Sequence, residues 1–236
     1  MSHTDESAND SKIRGRIAAE WGLDAATVNA LLGAALVRRF ARGASIIPQG
    51  THRSSLFIVL AGEVSLSVLL PNGQRILCAL HHHGAIFGFP IVETERPRWS
   101  AAEAFTPATV ALVPRRDFER IAAALPPATV IRFFNKVLER QARFAMRLLH
   151  CVALDLRGRL ALTLVDLAST FGAKESDGIR IQLPITHENL AEMVGASRER
   201  VSKTMAALMA EGLVSYRRRA VTVRDIADLQ AVATPL

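Results

Sequence analysis

The densest chemistry in the chain lies near its C-terminal end. From Ser197 to Arg224, seven basic residues (Arg198, Arg200, Lys203, Arg217, Arg218, Arg219 and Arg224) stand against two acidic ones, Glu199 and Glu211. Cationic side chains at this density neutralise phosphate. Arginine and lysine also match the O6 and N7 acceptors of guanine, and a glutamate accepts from the amino group of cytosine. The Arg217-Arg218-Arg219 triplet fits phosphate or the minor groove, with a solvated loop as its bland alternative.

The residues around this cluster dictate how it is held. Thr186 has the chemistry of a helix N-cap, Leu190, Ala191 and Val194 form an inward face, Gly195 permits a tight turn, and Ser197 caps the next helix. Val201, Met205 and Leu208 bury that second helix. Arg198, Glu199, Ser202 and Lys203 are left on the outer face of its first turn, the end that a recognition helix presents to base edges. Ser197, Arg200 and Thr186 are the further candidate DNA contacts. After Gly212, Leu213–Tyr216 and Ala220–Val223 read as two strands around the arginine triplet. Two helices and a basic hairpin predict a winged helix-turn-helix over roughly Leu183 to Arg224, with double-stranded DNA as partner.

Other chemistries find less support. Cys78 and Cys151 form no Cys-x-x-Cys pair, which argues against a disulfide framework and against cysteine-held zinc or iron–sulfur clusters. There is no Gly-x-Ser-x-Gly, P-loop or His-Glu-x-x-His, so no enzyme is expected. The 236 residues suit one large domain or two ordinary ones, and half are hydrophobic. The formal net charge of +7 favours a polyanionic partner, either nucleic acid or an anionic membrane surface. No apolar run reaches a membrane span, and residues 1–12 lack the apolar segment of a secretory signal. A cytoplasmic protein without a membrane partner is expected.

The elements that position these groups follow from periodicity. Residues 1–36 read as an N-terminal helical segment. A polar, mobile stretch to Ser11 precedes a helix from Ile13 to Leu36, within which Asp24 caps a second piece. Residues 37–125 carry short β-rich runs between glycines, with a Pro71-Asn72-Gly73 hairpin turn, and predict a sandwich or barrel. Residues 126–157 form a long helix. Its Val130, Phe134, Val137, Gln141, Phe144, Leu148 and Cys151 make a heptad stripe that suits a homodimer seam, while a second set, Ile131, Leu138, Ala145 and Val152, suits burial against the β domain. Residues 158–236 hold the winged helix-turn-helix, with a helix from Arg159, a polar loop from Gly172 to Gly178 and a strand from Ile179.

The whole arrangement resembles the CRP/FNR family of bacterial regulators. The resemblance rests chiefly on Gly195 to Lys203. Leu154 to Ala161 is similar to the family hinge, and Pro48-Gln49-Gly50 and Leu60 to Val64 to its β-roll turns. It implies an α+β chain with an N-terminal β-roll sensor of cyclic-nucleotide-binding type, a long dimerisation helix and a C-terminal winged helix-turn-helix. The expected function is a homodimeric transcription regulator that reads an inverted-repeat operator with a TGA-like core in each half-site. RNA polymerase is an implied partner.

The sensor departs from the family pattern. Cyclic-nucleotide members use Gly-Glu-Leu and Arg-Ser-Ala to hold ribose and phosphate, and a Thr-Ser pair to hold adenine. The matching residues here are Gly88-Phe89-Pro90, Trp99-Ser100-Ala101 and Phe144-Ala145, with Arg98 one place early. An apolar ring cannot pair with a phosphate charge, so cyclic AMP is not expected. The family's N-terminal cluster cysteines are missing too. Phe87, Phe89, Trp99, Ser100 and Phe144 remain as a candidate effector pocket, with Phe105 beside it. A filled core without ligand, an apolar or planar organic effector, and haem or metal through His81, His82 or His83 all stay open. So do control by abundance alone and a haem or redox response; no cofactor is assigned.

Overall fold

The computed structural model describes residues 3–52, 55–89, 97–217 and 219–233, with side chains from Asp10 onward. The first elements are α1 (His3–Trp21) and α2 (Ala25–Gly33). The stretch to Ser11, expected to be mobile, is thus helical from His3; it contains no glycine or proline to stop a helix. Gly22 turns left-handed (φ 63°), and Asp24 restarts the helix by accepting from Thr27 N at 2.7 Å. The expected helix to Leu36 ends early, at Gly33, because Leu36 opens a strand.

Among the described residues, eight strands follow: β1 (Leu36–Phe40), β2 (Ser45–Ile47), β3 (Ser55–Ala61), β4 (Val64–Leu69), β5 (Arg75–His81), β6 (Ile86–Phe87), β7 (Ala101–Ala104) and β8 (Ala108–Pro114). They form two sheets, ordered β1-β8-β3-β6 and β2-β7-β4-β5. Strand β3 is apolar on both faces. Leu56 and Ile58 enter a core with Ile17, Trp21, Ile86 and Phe133, whereas Phe57 and Val59 enter a second core with Val64, Phe87 and Val110. Period-two alternation on one strand therefore joins the helical layer to the sandwich interior. At Gly62 (φ 70°) an added Cβ would stand 2.2 Å from Pro107 O, so this turn admits no side chain.

Helix α3 (Arg115–Ala123), not foreseen as a separate element, packs Phe118 and Ile121 inward. Then come α4 (Pro127–Ala153) and α5 (Leu156–Phe171). Helix α4 stops before the expected Leu156 because Asp155 caps α5, accepting from Gly158 N at 2.8 Å. The expected polar loop is instead a hairpin of β9 (Gly172–Glu175) and β10 (Gly178–Ile181). The chain closes with α6 (His187–Val194), α7 (Arg198–Ala210), β11 (Val214–Arg217), β12 (Ala220–Val223) and α8 (Ile226–Ala231). A third sheet runs β11-β12-β10-β9. The chain divides into two compact units; the main division falls inside α4, between Arg143 and Phe144, and Arg75–Leu77 groups with the second unit. Among the described residues, no helix is long and apolar enough to cross a membrane.

The faces of α4 divide the expected stripe. Thr129, Phe133 and Val137, four residues apart, form the inward stripe: Thr129 and Phe133 are buried and Val137 packs on the core. Val130 is half-buried as well. A helix turns about 100° per residue, so an inward stripe at 133 and 137 swings 131 and 138 outward. Ile131 (61% exposed), Leu138 (62%) and Val152 (88%), the set expected to bury, are in solvent. Phe134, Leu148, Gln141 and Cys151 of the expected stripe are also exposed, and Phe144 is half-buried.

Candidate nucleic-acid interface and sensor pocket

Thr186 opens the helix-turn-helix with a capping box. Its hydroxyl accepts from Asn189 N (3.1 Å) and donates to Asn189 Oδ1 (2.8 Å), and that oxygen also accepts from Thr186 N (3.1 Å). Thr186 is half-buried, and its hydroxyl is committed to the cap. Helix α6 ends at Gly195, in the left-handed conformation (φ 64°, ψ 47°) that glycine adopts without strain. Ser197 then caps α7 by accepting from Arg200 N. Val201, Met205 and Leu208 of α7 are fully buried, as is Leu190 of α6.

This burial fixes the outer face of α7. Arg198, Glu199, Arg200 and Lys203 are exposed, with Ser197 at the head of the helix. The Glu199 carboxyl is held below the ordinary carboxylate range, first by its own backbone N–H, then by the Ser197 hydroxyl and the charge of Arg198. It is therefore a full acceptor at neutral pH. Ser202 is half-buried, and its Oγ lies 2.8 Å from His187 Nδ1. His187 in turn lies against Tyr216 of β11, with ring centroids 4.7 Å apart. The Tyr216 hydroxyl donates to Ile185 O at 3.1 Å. Sequence reasoning missed both His187 and Tyr216. The available signal was a histidine directly after the N-cap, a position that looks outward on an isolated helix.

The wing is β11 and β12 joined through Arg217 and Arg219, both exposed. Arg219 adopts φ 64°, rare for a residue with a side chain. Arg218 lies outside the described residues. Arg217 and Arg219 on the hairpin and Arg198 and Arg200 in the first turn of α7 are exposed cationic groups, a kind of side chain that neutralises phosphate.

In the sensor unit the candidate pocket residues separate. Phe87 is fully buried and stacks between Phe57 (5.3 Å) and His81 (5.2 Å). Phe89 joins the other core, 5.8 Å from Trp21 and 5.9 Å from Phe133. Phe105 is buried, Trp99 is half in solvent, Ser100 is half-buried, and Phe144 belongs to the other unit. Phe87 and Phe89 therefore do not line one cavity; successive odd positions across the Gly88 turn (φ 71°) serve different cores. Pro90 lies outside the described residues. Arg98 is buried. Its Nη2 donates to Gly88 O (3.2 Å) and Ser55 O (3.3 Å), and its guanidinium lies over the Phe57 ring.

The histidine triplet is bound up with arginines. Arg140 of α4 donates to Ile86 O, and its Nη2 lies 3.2 Å from His81 Nε2, with Trp21 and Phe89 rings against its guanidinium. Burial lowers its pKa to about 10, partly opposed by Glu20. Arg16 of α1 reaches His83 Nε2 at 2.6 Å. Among the described residues, no three His, Cys, Asp or Glu side chains are grouped to hold a metal ion.

Comparison with known proteins shows the family of both units. The profile of Crp-like helix-turn-helix domains matches residues 158–232, and that of cyclic nucleotide-binding domains matches residues 37–124. The transcriptional regulator LdrP of Thermus thermophilus is 31% identical over 198 residues, covering 84% of this chain and 96% of that protein. A CRP-like cAMP-activated global transcriptional regulator of Mycobacterium tuberculosis is 28% identical over 186 residues, covering 79% and 83%. Among solved structures, a CRP-family transcriptional regulator from Thermus thermophilus aligns with TM-score 0.69 at 30% identity, covering 83% of this chain and 96% of that one.

Proposed function

The chain belongs to the CRP/FNR family of transcription regulators, DNA-binding proteins and not enzymes, and from this we propose that it is a homodimer reading an inverted-repeat operator through α7. The carrying observation is the exposed first turn of α7. Arg198, Glu199 and Lys203 stand on one face above a buried Val201, Met205 and Leu208, with Arg217 and Arg219 on the neighbouring hairpin. Arg198 and Lys203 suit guanine, Glu199 suits cytosine, and Ser202 assists. Arg200 and the wing arginines, Arg218 included, meet phosphate or minor groove. Thr186 and Ser197 act chiefly by shaping the two helix ends.

The dimer forms through the outward stripe of α4: Ile131, Phe134, Leu138, Leu148, Leu149 and Val152. All six are exposed apolar side chains, and Ile131, Phe134, Leu138, Leu148 and Val152 fall on one heptad register, with Leu149 beside it. An apolar cavity of about 60 Å³, bordered by Leu31, Phe118, Phe133 and Phe134, opens beside this stripe. Two-fold symmetry then places half-sites about one helical turn apart. The protein acts in the cytoplasm, with RNA polymerase as its partner at the promoter.

The effector, if the sensor takes one, is not cyclic AMP. The Mycobacterium relative is by name cAMP-activated, but Phe89 here is packed on Trp21 and Phe133 where a ribose-binding glutamate would stand. Trp99 takes the place of the phosphate arginine, and Arg98 is spent on Gly88 O and Ser55 O. The packed positions of Phe87 and Phe89 favour either an apolar effector elsewhere in the unit or control by abundance alone. Selection of bound DNA from a random library, with and without cell extract, tests both parts. An inverted repeat recovered from purified protein supports the reading, and recovery only with extract supports an effector. Sequence-independent binding in both arms refutes specific recognition.

A further inference from the structure

His187 sits where three parts of the reading unit meet. It is the first residue of α6, its Nδ1 lies 2.8 Å from Ser202 Oγ on α7, and its ring faces Tyr216 on the wing strand β11. Tyr216 closes the loop by donating to Ile185 O, just ahead of the Thr186 cap. The imidazole is neutral at physiological pH, because burial first and the charge of Arg198 second lower its pKa. A neutral imidazole has one N–H donor and one lone-pair acceptor, so the position of its single proton decides what Ser202 can do.

The other ring nitrogen fixes that position. Nε2 is buried and has no hydrogen-bond partner among the described residues. A proton there would bury an orphan N–H; a proton on Nδ1 leaves only an unused lone pair. Orphan donors are the rarer and costlier of the two. Nδ1–H therefore donates to Ser202 Oγ. Ser202 Oγ makes no bond to the carbonyl of Arg198, one turn back, among the described residues, so its own proton is not consumed within the helix.

We infer that His187 is a positioning residue for DNA reading: it holds the Ser202 hydroxyl as an outward hydrogen-bond donor, so that Ser202 selects a base edge presenting an acceptor. In the major groove those edges are O4 of thymine, O6 or N7 of guanine, and N7 of adenine; cytosine offers only its amino donor. The inference rests on the reading of α7 as the base-reading helix. It adds the polarity of one contact and the residue, outside α7, that sets it.

Nitrogen-15 NMR of the free protein tests the tautomer directly. Expected is Nδ1-protonated, neutral His187; an Nε2-protonated ring overturns the inference. Operator selection tests the consequence with three variants. His187→Phe keeps a ring against Tyr216 but has no nitrogen, and is expected to lose about fivefold of the discrimination against cytosine at one base pair per half-site, the worth of one neutral hydrogen bond. His187→Asn restores a donor at the δ position and is expected to retain it, which loss of packing alone does not explain. If His187→Phe selects the same base as the unmodified protein while Ser202→Ala does not, His187 has no positioning role. If Ser202→Ala itself leaves selection unchanged, or weakens all sequences alike, Ser202 does not read a base and the assignment beneath the inference fails with it.

Discussion

Arg16 Nη1 stands 2.6 Å from His83 Nε2, and because a guanidinium has no lone pair, the imidazole must be the acceptor. The same logic applies to Arg140 and His81 Nε2 at 3.2 Å. Both α1 and α4 are thus tied to the end of β5 by bonds that only neutral histidines can make.

The first expected outcome is a pH-dependent stability. His83 has its pKa lowered from 6.5 by burial first, then by Arg16, His82 and Lys12; Glu20, 3.8 Å from His82, is the nearby counter-charge. The unfolded chain therefore takes up the proton before the folded one does. Stability falls as pH drops through about 6.5, and the loss levels off below the folded value. Thermal unfolding from about pH 7.5 to about pH 5.5 should show a falling midpoint, and His83→Gln, which keeps an acceptor but does not titrate, should flatten it. Equal slopes for the two proteins would contradict the neutral-acceptor assignment.

The dimer seam makes a second prediction, because the inward and outward faces of α4 are one residue apart. Leu138→Glu removes an exposed leucine from each copy. At about 2 kcal/mol per buried leucine, two copies weaken association by about three orders of magnitude. Val137→Ala, on the inward face, should leave the dimer intact and lower the thermal midpoint instead. Sedimentation equilibrium separates the outcomes. A dimer that survives Leu138→Glu but is broken by Val137→Ala would restore the seam read from the heptad alone.

Cyclic AMP is expected not to bind. Its phosphate would meet the apolar rings of Trp99 and Phe89 where the family has a charged and a polar ligand, and burying an unpaired charge is costly. Calorimetry should give no saturable heat. A submillimolar dissociation constant would mean that Arg98 leaves Gly88 O to serve as the phosphate ligand.

Much of the reading unit was legible because its signals are local. Thr186, Gly195 and Ser197 declare two helix ends and a turn by residue type alone, and Val201, Met205 and Leu208 declare the buried side of α7. Within the heptad stripe, Phe134 and Leu148 stay outward, but the inward turn of Val137 was not legible, because the inward face is chosen by a tertiary contact, Phe133 against Trp21. The separation of the candidate pocket residues has a related reason: Phe87 and Phe89 are two residues apart, but Gly88 turns the backbone between them and each joins its own core. The tie of His187 to Ser202 joins positions 15 residues apart and leaves no trace in either helix's periodicity.

The wing and the recognition helix should differ in kind. Arg217→Ala or Arg219→Gly, the latter compatible with φ 64°, should weaken all DNA sequences alike and reduce the salt slope by about one unit per lost phosphate contact. A change in the selected bases with an unchanged slope would assign the wing to base reading.

Glu199→Ala tests the central assignment most directly. Operators selected from one random library by the unmodified protein and by this variant should differ at a single base pair in each half-site. The variant should tolerate all bases there, at a cost of about 1–3 kcal/mol on the original operator, while the remaining positions of the inverted repeat are kept. An operator identical in every position for the two proteins would show that the first turn of α7 is not the surface that reads the DNA.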